Sequence, residues 1–188
     1  VAPSDGRFAM LQSLFAKTAK RAWLGQGRDA KATGHTRLDV RAVWQLENAA
    51  LWKRFAAARD AIAQKWARLG HKVAALKPPA SNAAQQLQST LEFGAPDMQL
   101  RGDVNEVLAL HGTDASLVDT IVSDGFDMRV SGGLFGFGAY FAENACKSDQ
   151  YAISDRNGSC WMLVVRVVMG RFAELEQLNK TLRRPPCV

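Results

Sequence analysis

The 188 residues are enough for one domain or two small ones, and 47% hydrophobic with 22% charged residues excludes a disordered or fibrous chain. No apolar run approaches the roughly 20 residues that span a bilayer, which excludes a membrane-spanning helix, and Cys146, Cys160, Cys187, His35, His71 and His111 lack disulfide-framework or zinc-site spacing. The net charge of +6 is unevenly divided: residues 1–78 carry 15 Lys and Arg against 5 Asp and Glu, and residues 79–188 carry 9 against 13.

Phe8, Leu11, Phe15, Thr18 and Ala22 recur at helical spacing with Leu14 beside them, predicting a helix over 8–23. Gly25, Gly27 and Gly34 mark a polar loop. From Leu38 the period changes to two, with Leu38, Val40, Ala42, Trp44 and Leu46 on one face, the pattern of a half-buried strand. A long helix is predicted from Glu47 to Leu69, with Leu51, Phe55, Ile62, Trp66 and Leu69 as its buried stripe and Gly70 placed to end it. Residues 70–103 read as a surface insertion or linker, broken by Pro78-Pro79. It falls within a single domain over 1–188, because neither flank is complete alone.

The second half alternates short strands and helices. Glu106–His111 is a predicted strand. Thr113 or Asp114 caps a helix bearing Leu117, Val118, Ile121 and Val122, which Gly125 terminates. Gly132-Gly133 and Gly136/Gly138 flank a mobile loop feeding a strand over Ala139–Ala142, and Asn144 caps a helix to about Ala152. Trp161–Met169, interrupted only by Arg166, reads as a central sheet strand. The class is α+β.

Three segments carry chemistry: His111-Gly112-Thr113 at a strand end, Gly136 to Ala142, and Lys147 to Tyr151. Ser148 and Tyr151 lie three apart on one helix face and can line a pocket with Tyr140. Two tyrosines beside a glycine-lined backbone make a slot for a flat ring. A backbone edge at Gly112 with the Ser148 hydroxyl can grip a carboxamide, which needs both a donor and an acceptor. Such a slot suits nicotinamide. Each segment alone also has an ordinary structural reading: a buried histidine, a turn, two core tyrosines.

The order of these segments resembles the catalytic domain of the poly(ADP-ribose) polymerases, in local wording the tankyrase type and its protist relatives. The matching stretches are VWQLENAALWKRF (43–55), VNEVLALHGT (104–113), SDGFDMR (123–129), GGLFGFGAYFAENACKSDQYA (132–152), MLVVRVVMGR (162–171) and LRRPP (182–186). The resemblance implies two packed, mainly antiparallel sheets with surrounding helices and an NAD+ cleft between them. It implies that His111 contacts the adenosine ribose of NAD+, that Gly112 and Ser148 hold the carboxamide, and that Tyr140 and Tyr151 sandwich the nicotinamide ring. Thr113, Ala142 and Lys147 join the NAD+-binding set, His111 and Tyr140 the catalytic one, and residues 126–137 form the loop over the dinucleotide. No metal is implied.

The family also carries a glutamate on a strand beyond the LRRPP segment, where this sequence has reached Val188. Glu174 and Glu176 come too early to match it. The expectation is therefore a C-terminally incomplete domain of a longer parent, inactive without that strand, and the start at Val1 predicts residues before it. The activity implied is transfer of ADP-ribose from NAD+ to protein acceptors with release of nicotinamide, a glycosyl transfer. The alternative is a degenerate fold, a pseudoenzyme serving as a structural subunit, with neighbouring subunits covering an open sheet edge. The basic front half leaves two readings open: a surface for nucleic acid or another acidic partner, or the solvated faces of two helices. Cysteine usage fits an intracellular reducing compartment. The resemblance implies cytosol or nucleus, and an organelle stays open.

Overall fold

The computed structural model describes residues 1–24, 35–74, 98–129 and 131–184. The body of the expected insertion, residues 75–97, lies outside the described residues, as do Gly25, Gly27 and Gly34 in the first polar loop and Cys187. The elements run α1 (Gly6–Thr18), α2 (Ala49–Leu69), β1 (Glu106–Thr113), α3 (Ala115–Asp124), β2 (Gly132–Gly133), β3 (Gly136–Phe137), α4 (Ala145–Ser148) and β4 (Trp161–Val168). The α+β class holds: β1 and β4 pair antiparallel from Glu106 opposite Val168 to Thr113 opposite Trp161, and β2 and β3 form a second, short antiparallel pair.

Local chemistry explains most boundaries. Asp5 opens α1 by accepting a hydrogen bond from the Arg7 backbone N–H (2.8 Å), and Asp114 opens α3 the same way through Ser116. Asn48 opens α2: its Oδ1 accepts from Leu51 N–H at 3.0 Å, while its Nδ2 donates to the Val122 and Ser123 carbonyls at 3.0 and 3.1 Å. One side chain thus starts α2 and ties it to the end of α3. Gly70 closes α2 in the left-handed conformation (φ 64°) that a side chain resists.

The buried core gathers Leu14, Ala19 and Leu24 from α1 and its exit turn with Leu110 of β1 and Ala145 and Cys146 of α4. Thr18, fully buried, links two helices: its hydroxyl donates to the Leu14 carbonyl (2.7 Å) and accepts from the Ala145 N–H (3.2 Å). The end of α1 therefore caps the start of α4 and fixes where the residues after Ala145 stand.

Several elements depart from the sequence pattern. α1 ends at Thr18 and the chain turns through Arg21–Leu24, because Thr18 and Leu24 are drawn into the core. Residues 38–46 form no strand: period two supplies a face but not a partner edge, and Trp44 and Leu46 stay 68% and 56% exposed. Trp44 instead leans on Trp161, with ring centroids 5.0 Å apart. The expected strand at Ala139–Ala142 reduces to one bridge at Ala142, while the glycines before it form the β2–β3 hairpin. The helix from Asn144 tightens after Ser148 into a narrower turn, Asp149–Tyr151. Among the described residues β1 is the inner strand, flanked by β4 and by the Ala142 bridge.

The stripe on α2 also behaves differently. Leu51, Phe55, Ile62 and Trp66 are half-buried, and Leu69 is 55% exposed. Charged side chains also hold the helix. Glu106, whose side chain is withdrawn from solvent, accepts from Arg166 Nε (2.7 Å), the Arg101 backbone N–H (3.0 Å) and Arg59 of α2 (3.5 Å). The Arg166 guanidinium lies 5.1 Å from the Trp52 ring and that of Arg59 5.8 Å from both Trp52 and Phe55. Phe55 of the stripe and its neighbour Trp52 thus lie against guanidinium groups, while the Trp66 ring packs closely on Gly170.

Candidate functional site

β1 supplies the floor. Leu110 exchanges both of its backbone hydrogen bonds with Ala142, at 2.8 Å each way. Backbone groups of successive residues in an antiparallel ladder point alternately to the two sides. Gly112, two residues on, therefore turns its N–H and C=O to the side of Ala142 and away from β4. A second bridge, Asp114 with Ile153, stands just past it. Gly112 lies in the gap between the bridges, and among the described residues neither of its groups has a hydrogen-bond partner on that side.

The Ser148 backbone packs closely on the strand at Gly112. A Cβ on Gly112 would lie 1.9 Å from the Ser148 carbonyl oxygen, 2.8 Å from its carbon and 3.1 Å from the Ala152 nitrogen, so only glycine permits this approach. The Ser148 hydroxyl is buried and has no hydrogen-bond partner. An orphaned buried hydroxyl carries its full desolvation penalty, of order 1–3 kcal/mol. It is also shut from water, so a ligand reaching it requires a small outward movement of a neighbour.

The aromatic residues each have one side engaged by protein. Tyr140, on the loop after β3, donates its hydroxyl to the Gly136 carbonyl (2.7 Å) and accepts from Phe135 N–H (3.2 Å). Its ring lies so close to Gly133 that a Cβ there would be 2.8 Å from Cζ. Tyr151 is 47% exposed, and the Lys147 ammonium sits 5.3 Å from its ring centroid while also donating to Gln150 (3.2 Å). Gly136 (φ 101°) presses on the Leu182 backbone, and Phe137 N–H bonds the Leu182 carbonyl at 2.8 Å. Leu182 thus braces the hairpin that holds Tyr140.

His111 is half-buried on β1, with Nδ1 2.8 Å from the Tyr140 carbonyl. Thr113 is buried at the strand end. Two groups beside the site escaped sequence reasoning. Phe126 and Phe141 enclose the His111 ring, and Asp149, next to Ser148, is buried and bonded to His35 Nε2 at 2.8 Å. Burial pushes the Asp149 carboxyl above its ordinary value, opposed by the hydrogen bond from His35. Burial likewise pushes the Cys146 and Cys160 thiols up, which leaves neither a ready nucleophile. The pairing of positions 35 and 149 had no local signal, since it spans the chain.

Comparison with known proteins decides what these segments belong to. The model of the poly(ADP-ribose) polymerase catalytic domain matches residues 24–186. The chain belongs to this family. Similar curated proteins are protein mono-ADP-ribosyltransferase PARP12 of Mus musculus, 41% identical over 87 residues, and of Homo sapiens, 38% over 86 residues. Protein mono-ADP-ribosyltransferase PARP3 of Homo sapiens is 35% identical over 86 residues. These matches cover 45%, 44% and 44% of this chain but only 12%, 12% and 16% of those proteins.

The residues fit a nicotinamide carboxamide. A carboxamide offers one acceptor oxygen and an amino donor. The Gly112 N–H and the Ser148 hydroxyl are donors that such an oxygen would take, and the Gly112 carbonyl an acceptor that the amino group would take. Among the described residues no cluster of three or more His, Cys, Asp or Glu side chains is placed to hold a metal ion, and no helix is long and apolar enough to cross a membrane.

Proposed function

We propose that this protein transfers the ADP-ribose unit of NAD+ to protein acceptors and releases nicotinamide. The observation that carries the reading is the open backbone pair of Gly112 beside the unpartnered Ser148 hydroxyl. The names of the curated relatives favour one ADP-ribose unit per acceptor. The bond between ribose C1′ and the nicotinamide nitrogen breaks, and its electron pair neutralises the pyridinium. C1′ then takes an electron pair from an acceptor oxygen or nitrogen, which gives up its proton.

This chain's residues act by positioning. Gly112 and Ser148 hold the carboxamide, and the rings of Tyr140 and Tyr151 bracket the nicotinamide. The Tyr140 hydroxyl is committed to Gly136, so Tyr140 contributes its ring and not a proton. The His111 Nε2 accepts a hydroxyl of the adenosine ribose. The test uses the full-length protein with NAD+ labelled in its adenylate part. Label on protein acceptors together with stoichiometric free nicotinamide is expected. Nicotinamide binding with neither release nor transfer would instead support the structural-subunit reading.

A further inference from the structure

We propose that Phe126 is a positioning residue that sets the orientation of the His111 ring, and so the acceptor presented to the adenosine ribose. The inference rests on the NAD+ reading above only for the identity of that ligand. A carbonyl oxygen can only accept, so the contact with Tyr140 requires the proton on His111 Nδ1. The neutral ring then presents Nε2 as an acceptor, matched to a hydroxyl donor. A swing of the ring would break this polarity.

Among the described residues, three contacts hold the ring. Two of them, the Tyr140 carbonyl and the Phe141 ring (centroids 5.8 Å apart), come from adjacent residues of one loop and move with it. The third is Phe126, edge-on to His111 at 4.9 Å and 80°, and edge-on to Phe141 at 5.0 Å and 76°. Phe126 comes from elsewhere. It follows Gly125, the cap of α3 (φ 88°), where a Cβ would press on Leu51 of α2 at 3.3 Å. Phe126 is thus the contact that refers the His111 ring to the helical frame and not to the loop of Tyr140. It also begins the 126–137 segment, so movement of that segment reaches His111 through one ring.

The test combines long-range nitrogen–proton correlation spectra of His111 with titrations of NAD+ and of nicotinamide alone, on the full chain and its Phe126→Ala and Phe126→Leu variants. The ligand-free wild type is expected to show the Nδ1-protonated form. In Phe126→Ala that signal averages between forms and NAD+ affinity falls about tenfold, while nicotinamide affinity is unchanged. Phe126→Leu, which keeps bulk but loses the aromatic edge, falls between, and it carries the test if the alanine variant does not fold. An unchanged His111 spectrum overturns the proposal, as does an equal loss of NAD+ and nicotinamide. If the wild type binds neither ligand, the NAD+ reading fails, and the His111 spectra still decide whether Phe126 orients the ring.

Discussion

Replacing Gly112 by alanine tests the central geometric claim. The added Cβ would stand 1.9 Å from the Ser148 carbonyl oxygen, where ordinary contact begins at 3.4 Å, and 3.1 Å from the Ala152 nitrogen. Both obstacles are backbone and cannot rotate away, so β1 and the α4 turn must separate by about 1.5 Å. Overpacking of this kind costs about 1–3 kcal/mol, and the absence of a yielding side chain puts Gly112→Ala at the upper end. For a chain of this size about 3 kcal/mol lowers the melting temperature by about 6–12 °C. The same separation draws Ser148 away from the Gly112 backbone, so nicotinamide affinity should fall together with stability. Calorimetry with a nicotinamide titration reads both. A Gly112→Ala protein that melts within about 2 °C of the wild type would refute the close approach.

Ser148→Ala should leave the free protein as stable or more so, because it removes a buried hydroxyl without a partner, and should weaken nicotinamide about tenfold; a clear loss of stability would mean the hydroxyl is already satisfied. Glu106→Ala takes the buried carboxylate from Arg166, and from Arg59, which keeps Asp60 at 3.3 Å, and should cost about 3 kcal/mol in urea denaturation, with α2 the first element to lose amide protection. For Asp149 the folded carboxyl is raised above its ordinary 3.8, so the folded state holds the proton more tightly than the unfolded chain. Its contribution is complete below pH 3.8 and is lost as pH rises through the raised value, so Asp149→Asn should gain on the wild type over that window. Parallel pH series of urea midpoints for the two proteins would show the opposite trend if the His35 hydrogen bond outweighed burial.

Much of the fold was legible because its signals are local. Asp114 and Gly125 bound α3, Gly70 ends α2, and both long strands sit where the apolar runs placed them. In each case the residues that start or stop the element satisfy or strain their own backbone within one turn. The order of short motifs from Val43 to Pro186 likewise lies along the chain, and it was enough to indicate the family.

Tertiary structure decided the rest, for one physical reason: the deciding contacts join residues far apart in sequence. Residues 38–46 carry a strand pattern, yet a strand requires a partner edge, which no pattern within the segment can supply. Glu106 looked like the first residue of a strand and proved to be the buried anchor of Arg59 and Arg166, 47 and 60 positions away. Phe126 reads in sequence as the first residue of the segment that the resemblance places over the dinucleotide, and only the fold lays its edge against His111. The sequence named Gly112 and Ser148, but their use depends on which side of β1 was left open. The alternation of hydrogen bonds settled that side once Ala142 bridged Leu110, because a paired edge has no groups left for a ligand and the gap beside it does.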